Sequence, residues 1–256
     1  MNSPDPSHHS PRCVVVVGGS SGIGAELCRA AAGRGWHVWI GYASGLARAE
    51  RLVDDIEADR GAASIVRLPL DDPDRLRLGV ATIAEHGPSP EAVVLCGAPA
   101  PDVSPFIKLT PAQFRHQLDC AVIGSHVLMA EAWKRCFRAR GGGHVSAVLS
   151  AALGPPAAPH MASYVAAKGG LEALLRAAAA ELGPAGLKIS VISPSYVETP
   201  MLQAFPALLL DRARAKLAHK RFLDPRRVAL AILHGLEHPP APGGVHELSL
   251  ELEMAS

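Results

Sequence analysis

The chain has 256 residues, 48% of them hydrophobic and 19% charged, which fits one large packed domain. A formal net charge of +1 without a Lys/Arg cluster argues against nucleic acid as a partner. No apolar run is long enough to span a bilayer and no signal-peptide pattern opens the chain, so a cytoplasmic protein with no membrane partner is expected.

Residues 1–12 are rich in Pro, Ser and His and read as a disordered leader. Cys13-Val14-Val15-Val16-Val17 is a fully apolar β-branched run that stops at glycine, as a buried parallel strand does. Further strands are predicted over 38–41, 64–68, 92–96, 144–149, 188–192 and 245–250. Helices are predicted over 22–34, 46–60, 73–86, 111–140 (as two helices), 163–182 and 225–237. This βα alternation predicts an α/β fold, a parallel sheet covered by helices on both faces. Residues 200–222 break the rhythm and are expected to lie over the strand carboxyl ends as a substrate lid. Five scattered cysteines (Cys13, Cys28, Cys96, Cys120, Cys136) form no C-x-x-C pair. Buried thiols in a reducing compartment are expected, with neither a disulfide frame nor a metal site.

Gly18, Gly22 and Gly24 follow the first strand and open the first helix. In that context glycine lets the backbone approach a pyrophosphate, whose charge the helix N-terminus stabilises. Such a turn can also be tight packing alone. It is not a nucleoside-triphosphate P-loop, because Ala25 stands where a lysine is required. Far downstream, Tyr164 and Lys168 are four apart and share a helix face. An ammonium beside a phenol lowers the phenol pKa toward the working pH, so Tyr164 is expected to exchange a proton with a carbonyl or carbinol oxygen. A surface contact is the plainer reading of such a pair; the glycine turn upstream argues for the site.

The spacing G-x-x-x-G-x-G of residues 18–24, together with Tyr164-x-x-x-Lys168, resembles the short-chain dehydrogenase/reductase family. The resemblance runs from Cys13 to about Leu236. It extends to Pro194-Ser195-Tyr196-Val197-Glu198-Thr199-Pro200-Met201, similar to the family's P-G-x-V-x-T segment, and to Asp224-Pro225 at the start of the late helix. Ile40-Gly41-Tyr42-Ala43-Ser44 is similar to the second-strand end of 3-oxoacyl-(acyl-carrier-protein) reductases. The resemblance implies a single Rossmann-type doubly wound domain over 13–256 with seven parallel strands. It makes Tyr164 the acid/base and Lys168 the group that tunes it and holds the nicotinamide ribose. Thr199 and the backbone at Val197 would hold the carboxamide. Gly18, Ser20, Ser21, Gly22, Ile23, Gly24, Tyr42, Ala43, Ser44, Leu70 and Ala98 complete the implied dinucleotide contacts. The second strand ends without a carboxylate, at Tyr42, Ala43 and Ser44, with Arg48 a turn later, so NADP(H) is favoured over NAD(H). Those residues could instead simply cap the next helix.

Several positions depart from the family pattern. The serine expected thirteen residues before the tyrosine is Ala151, and the expected asparagine is Ala121. N-N-A-G reads Cys96-Gly97-Ala98-Pro99, the aspartate after strand three is Pro69, and the first position of the glycine motif is Val17. Ser150 is the candidate replacement for the missing hydroxyl, although in regular extended structure it would face away. His160 is a second candidate donor or a loop histidine, and Ser146 reads as structural. The expected function is NADP(H)-dependent interconversion of a ketone and a secondary alcohol, with a small molecule or acyl thioester as substrate and a 3-oxoacyl thioester foremost. The alternative is a catalytically impaired homologue, a dinucleotide-binding or partner subunit in a mixed oligomer with an active paralogue. Small residues along the helix from Ser163 (Ala166, Ala167, Gly169, Gly170, Ala173) would let another helix approach. The resemblance implies a homodimer or homotetramer, although helix propensity alone also accounts for the alanines.

Overall fold

Strands with no polar alternation need cover on both faces, and here they have it. The computed structural model describes residues 12–217 and 219–250. In chain order the elements are β1 (Cys13–Val17), α1 (Gly22–Ala32), β2 (His37–Tyr42), α2 (Leu46–Ala58), β3 (Ala62–Arg67), α3 (Pro73–His86), β4 (Ala92–Leu95), α4 (Pro111–Leu118), α5 (Ser125–Ala132), β5 (Gly143–Val148), α6 (Ala162–Leu182), β6 (Leu187–Ile192), α7 (Ala207–Ala215), α8 (Pro225–Glu237) and β7 (Val245–Glu247). The strands form one seven-stranded sheet in the order β3-β2-β1-β4-β5-β6-β7, and every pairing is parallel.

All five residues of β1 are buried. Val15 and Val17 pack with Leu76 of α3, Leu128 of α5 and Leu175 of α6 on one face. Val14 and Val16 pack with Leu27 of α1, Leu52 of α2 and Ile232 of α8 on the other. The predicted doubly wound fold is therefore the fold observed. Its strand order reverses between β1 and β4, and a crevice opens at the carboxyl ends of strands at such a reversal.

Three expectations change. The predicted leader lies outside the described residues except for Arg12, which is anchored. The Arg12 carbonyl accepts the His37 N–H at 2.7 Å, and its guanidinium lies 2.7 Å from Glu91 and over the Trp36 ring. Residues 111–140 form one continuous helical rod, not two helices. Between α4 and α5 runs a π turn, Asp119–Gly124, and a second, Trp133–Phe137, follows α5 before a 3-10 turn at Arg138–Arg140. A Cβ on Gly124 would overlap the Leu70 carbonyl, so glycine permits a close approach there without ending the helix. β7 is shorter than predicted, although the Leu248 N–H still bonds the Val191 carbonyl at 2.7 Å.

The small-residue face of α6 is partly used within the chain. A Cβ on Gly170 would sit 2.8 Å from Val122 of the first π turn. Residues 200–222 carry a 3-10 turn, Pro200–Ala204, and α7. Val197 bridges to Leu223 at the base of this excursion.

Candidate active site

A cleft of about 790 Å³ lies over the strand carboxyl ends, and the glycine turn forms its floor. Gly18 has φ +76°, and a Cβ there would stand 2.6 Å from the Gly97 Cα, so the ends of β1 and β4 meet backbone to backbone. Gly22 has φ +53°, and its Cβ would stand 3.0 Å from the Thr199 Cγ2. Ser21 precedes α1 without capping it through its side chain, and no acidic residue occupies the first turn. The first amides of α1 are thus left to meet an anion. Ser20, Ser21, Ile23, Gly24, Leu70, Ala98, Val197 and Thr199 all line this cleft, as do Gly18 and Gly22. A cradle that side chains would fill, together with an uncapped helix N-terminus, fits a dinucleotide pyrophosphate.

At the end of β2, Ala43, Ser44, Gly45 and Arg48 line the same cleft, joined by Arg67 from the end of β3. The Arg48 guanidinium folds over Gly45, where a Cβ would come 2.6 Å from its Nη2 and 2.9 Å from the Ser20 Oγ. Among the described residues, no carboxylate from the β2 end lines the cleft. Tyr42 is the exception among the expected contacts: it packs against the hydrophobic cluster shared by α1 and α2 and does not line the cleft.

Tyr164 and Lys168 sit one turn apart on the buried face of α6, 7% and 4% exposed, and both line the cleft. Lys168 Nζ donates to the Val148 carbonyl at 2.6 Å and lies 5.9 Å from the centre of the Tyr164 ring. Burial pulls the Lys168 pKa down to about 8, opposed in small part by the Cys96 thiol. Burial pushes the Tyr164 phenol up, and a hydrogen bond with Ser150 opposes it. The expected depression of the phenol by the ammonium is not what the structure contains. The ammonium donates to a backbone carbonyl, and burial is the first cause of the upward shift of the phenol.

Ser150 is the candidate replacement for the missing hydroxyl, and only regular strand alternation would turn it away. β5 stops at Val148, so strand alternation no longer governs Ser150, which begins a 3-10 turn, Ala151–Leu153. Its Oγ accepts the Ala152 N–H at 3.1 Å, and it stands near enough to the Tyr164 phenol to oppose the upward push of burial. Ala151 also lines the cleft, its N–H tied to the Pro194 carbonyl at 3.0 Å. Ala121 is buried in the π turn and does not line the cleft. His160 is exposed outside the cleft, at φ +62°, so it is no donor here. Ser146 is fully buried within β5, and its Oγ has no hydrogen-bond partner. Arg67, His116, Cys120, Met161 and Phe205 also line the cleft. Nothing in their local sequence pattern singled them out.

Comparison with known proteins agrees with this geometry. A family model described as enoyl-(acyl carrier protein) reductase matches residues 17–234. Cis-4-hydroxycyclohexanecarboxylate dehydrogenase of Sinomonas cyclohexanicum is 31% identical over 231 residues, covering 86% of this chain and 87% of that protein. A 3-oxoacyl-(acyl-carrier-protein) reductase of Staphylococcus aureus is 23% identical over 211 residues, covering 82% and 85%. In fold, the chain matches a crystal structure of an actinorhodin polyketide ketoreductase variant with NADPH at a TM-score of 0.83 and 20% identity, over 96% of this chain and 98% of that one.

The fold and cleft define an oxidoreductase that works with a nicotinamide dinucleotide and interconverts ketones and alcohols. The chain belongs to the short-chain dehydrogenase/reductase family. Among the described residues, no helix is long and apolar enough to cross a membrane, and no group of three or more His, Cys, Asp or Glu could hold a metal ion.

Proposed function

We propose that this chain is an NADP(H)-dependent reductase of a 3-oxoacyl thioester, with Tyr164 as proton donor and Ser150 as the hydroxyl that positions the carbonyl oxygen. The placement of Ser150 with Tyr164 in one cleft carries this reading, because it brings a second hydroxyl beside the acid. The glycine turn and α1 would hold the pyrophosphate, Val197 and Thr199 the carboxamide, and Lys168 the nicotinamide ribose. Arg48 with Ser20 and Ser44 would hold a 2′-phosphate, the feature that favours NADP(H). When bound, the dinucleotide supplies the hydride for the carbonyl carbon. Tyr164, kept protonated by burial, gives its proton to the oxygen as charge develops there, and Ser150 donates a hydrogen bond to the same oxygen. Lys168, with its pKa near 8, can take up or release a proton at working pH.

Residues 200–222 would serve as the lid, since Pro200, Met201, Leu202 and Phe205 already line the cleft. The chain would work as a homodimer or homotetramer in the cytoplasm. A second reading, a dinucleotide-binding partner subunit of an active paralogue, draws on Ala121, which offers no polar side chain in the π turn.

The test follows NADPH absorbance with the purified chain and an acetoacetyl thioester. Tyr164→Phe should lower the rate by about a hundredfold or more while leaving NADPH binding in place. Equal turnover by Tyr164→Phe removes the tyrosine from the chemistry. Cofactor binding with turnover only after a paralogue is added selects the second reading.

A further inference from the structure

We infer that the substrate enters this cleft as an uncharged molecule and that the free carboxylate of the same skeleton is refused, a statement that rests on the oxidoreductase reading above. Ala152, bonded to Ser150, and Met161, which precedes Tyr164 by three residues, line the cleft, and Pro99, Met201, Leu202 and Phe205 line it with them. Among the described residues, the Lys and Arg side chains lining the cleft are Arg48, Arg67 and Lys168. Arg48 follows β2 and Arg67 ends β3, whereas Ser150 follows β5. In the sheet order, β2 stands three strands from β5, roughly 14 Å at about 4.8 Å per strand. A small ketone at Tyr164 therefore meets neither guanidinium. The Lys168 Nζ is already committed to the Val148 carbonyl, in a fully buried position.

The remaining charge near this wall has the wrong sign for a carboxylate. Cys120 is part of the wall, and its thiol is pushed up by burial first, then by the Asp71 and Asp119 carboxylates. Asp71 itself lines the cleft. His116, in the last turn of α4, is the one imidazole among the described residues that line the cleft. A carboxylate brought into this wall would lose its water without gaining a counter-ion, whereas an ester or thioester carbonyl loses little. The substrate named for the 31% identical relative is a carboxylate. This cleft parts from that chemistry in what it admits.

The experiment compares acid and ester pairs on the full chain with NADPH. The pairs are 4-oxocyclohexanecarboxylate with its methyl ester, and acetoacetate with ethyl acetoacetate. The esters should show kcat/KM at least about a hundredfold above the acids. Met201→Arg should narrow that ratio by about tenfold or more by supplying the missing cation, with NADPH titration confirming that the variant folds. Acids reduced as well as their esters overturn the inference and leave the oxidoreductase reading standing. No NADPH oxidation with any of the four compounds overturns the reading beneath it, and the inference with it.

Discussion

Ser150 reaches Tyr164 because β5 ends at Val148 and the next turn begins with Ser150 as its cap. The hydroxyl therefore has two contacts, one holding the turn through the Ala152 N–H and one on the phenol. They have different costs. Loss of a turn cap costs about 1 kcal/mol of stability, whereas loss of a positioned donor at a developing oxyanion costs about a hundredfold to a thousandfold in rate. Ser150→Ala should accordingly lower kcat/KM by that larger factor, with a shift in melting temperature of only a few degrees, on the order expected for about 1 kcal/mol. Steady-state kinetics beside a melting curve separates the two roles. A variant that melts early but reacts at the full rate would make Ser150 a turn cap alone.

The fold was readable from short stretches of sequence. β1, α3 and α8 fall where their apolar runs and their Asp-Pro starts place them, because the signals that form them lie within a few residues. The two helices expected over 111–140 run on as one rod through the π turn that ends at Gly124. The role of Gly124 depends on Leu70, far away in sequence, against which it packs. The same limit applies to the site. The tyrosine-lysine pair picked out by its spacing lines the cleft, yet the direction of the phenol shift depends on burial by the whole cleft, which spacing does not encode. At the β2–α2 junction, Arg48 lines the cleft with its guanidinium over Gly45, and the proposed 2′-phosphate contact rests on it. Arg48→Ala should weaken NADPH binding by about tenfold to a hundredfold and leave NADH binding nearly unchanged, as read by fluorescence titration of both. An equal loss for the two cofactors would move Arg48 off the 2′-phosphate.

Across the whole molecule, both faces of the sheet bury free thiols: Cys13, Cys120 and Cys136 on one, Cys28 with the partly buried Cys96 on the other. Burial is the first cause of every shift. It raises Cys13 and Cys96 to about 12 and Cys120 to about 11 from the ordinary 9.0, and it raises Cys28 and Cys136 as well. A group whose pKa is raised by folding stabilises the fold fully below its unfolded value. That contribution is lost as the pH climbs through the folded value. For Cys13 and Cys96 the window runs from about pH 9 to about pH 12, and for Cys120 to about pH 11, and each of the three can remove up to about 1.4 kcal/mol per pH unit within it. Lys168 works the other way. Its pKa falls from 10.5 to about 8 on folding, so stability is gained from this group as the pH rises between those values. One lysine is set against five thiols, so the thiols win. The urea midpoint should therefore fall steadily between about pH 9 and about pH 10.5. Replacing Cys13 and Cys136 with alanine should flatten that fall, even though the cavities lower the midpoint at pH 7. Lys168→Met should steepen it, since the one opposing group is gone. A midpoint that holds level to pH 10.5 in the natural chain would mean that the thiols ionise within the folded protein and that water reaches these clusters.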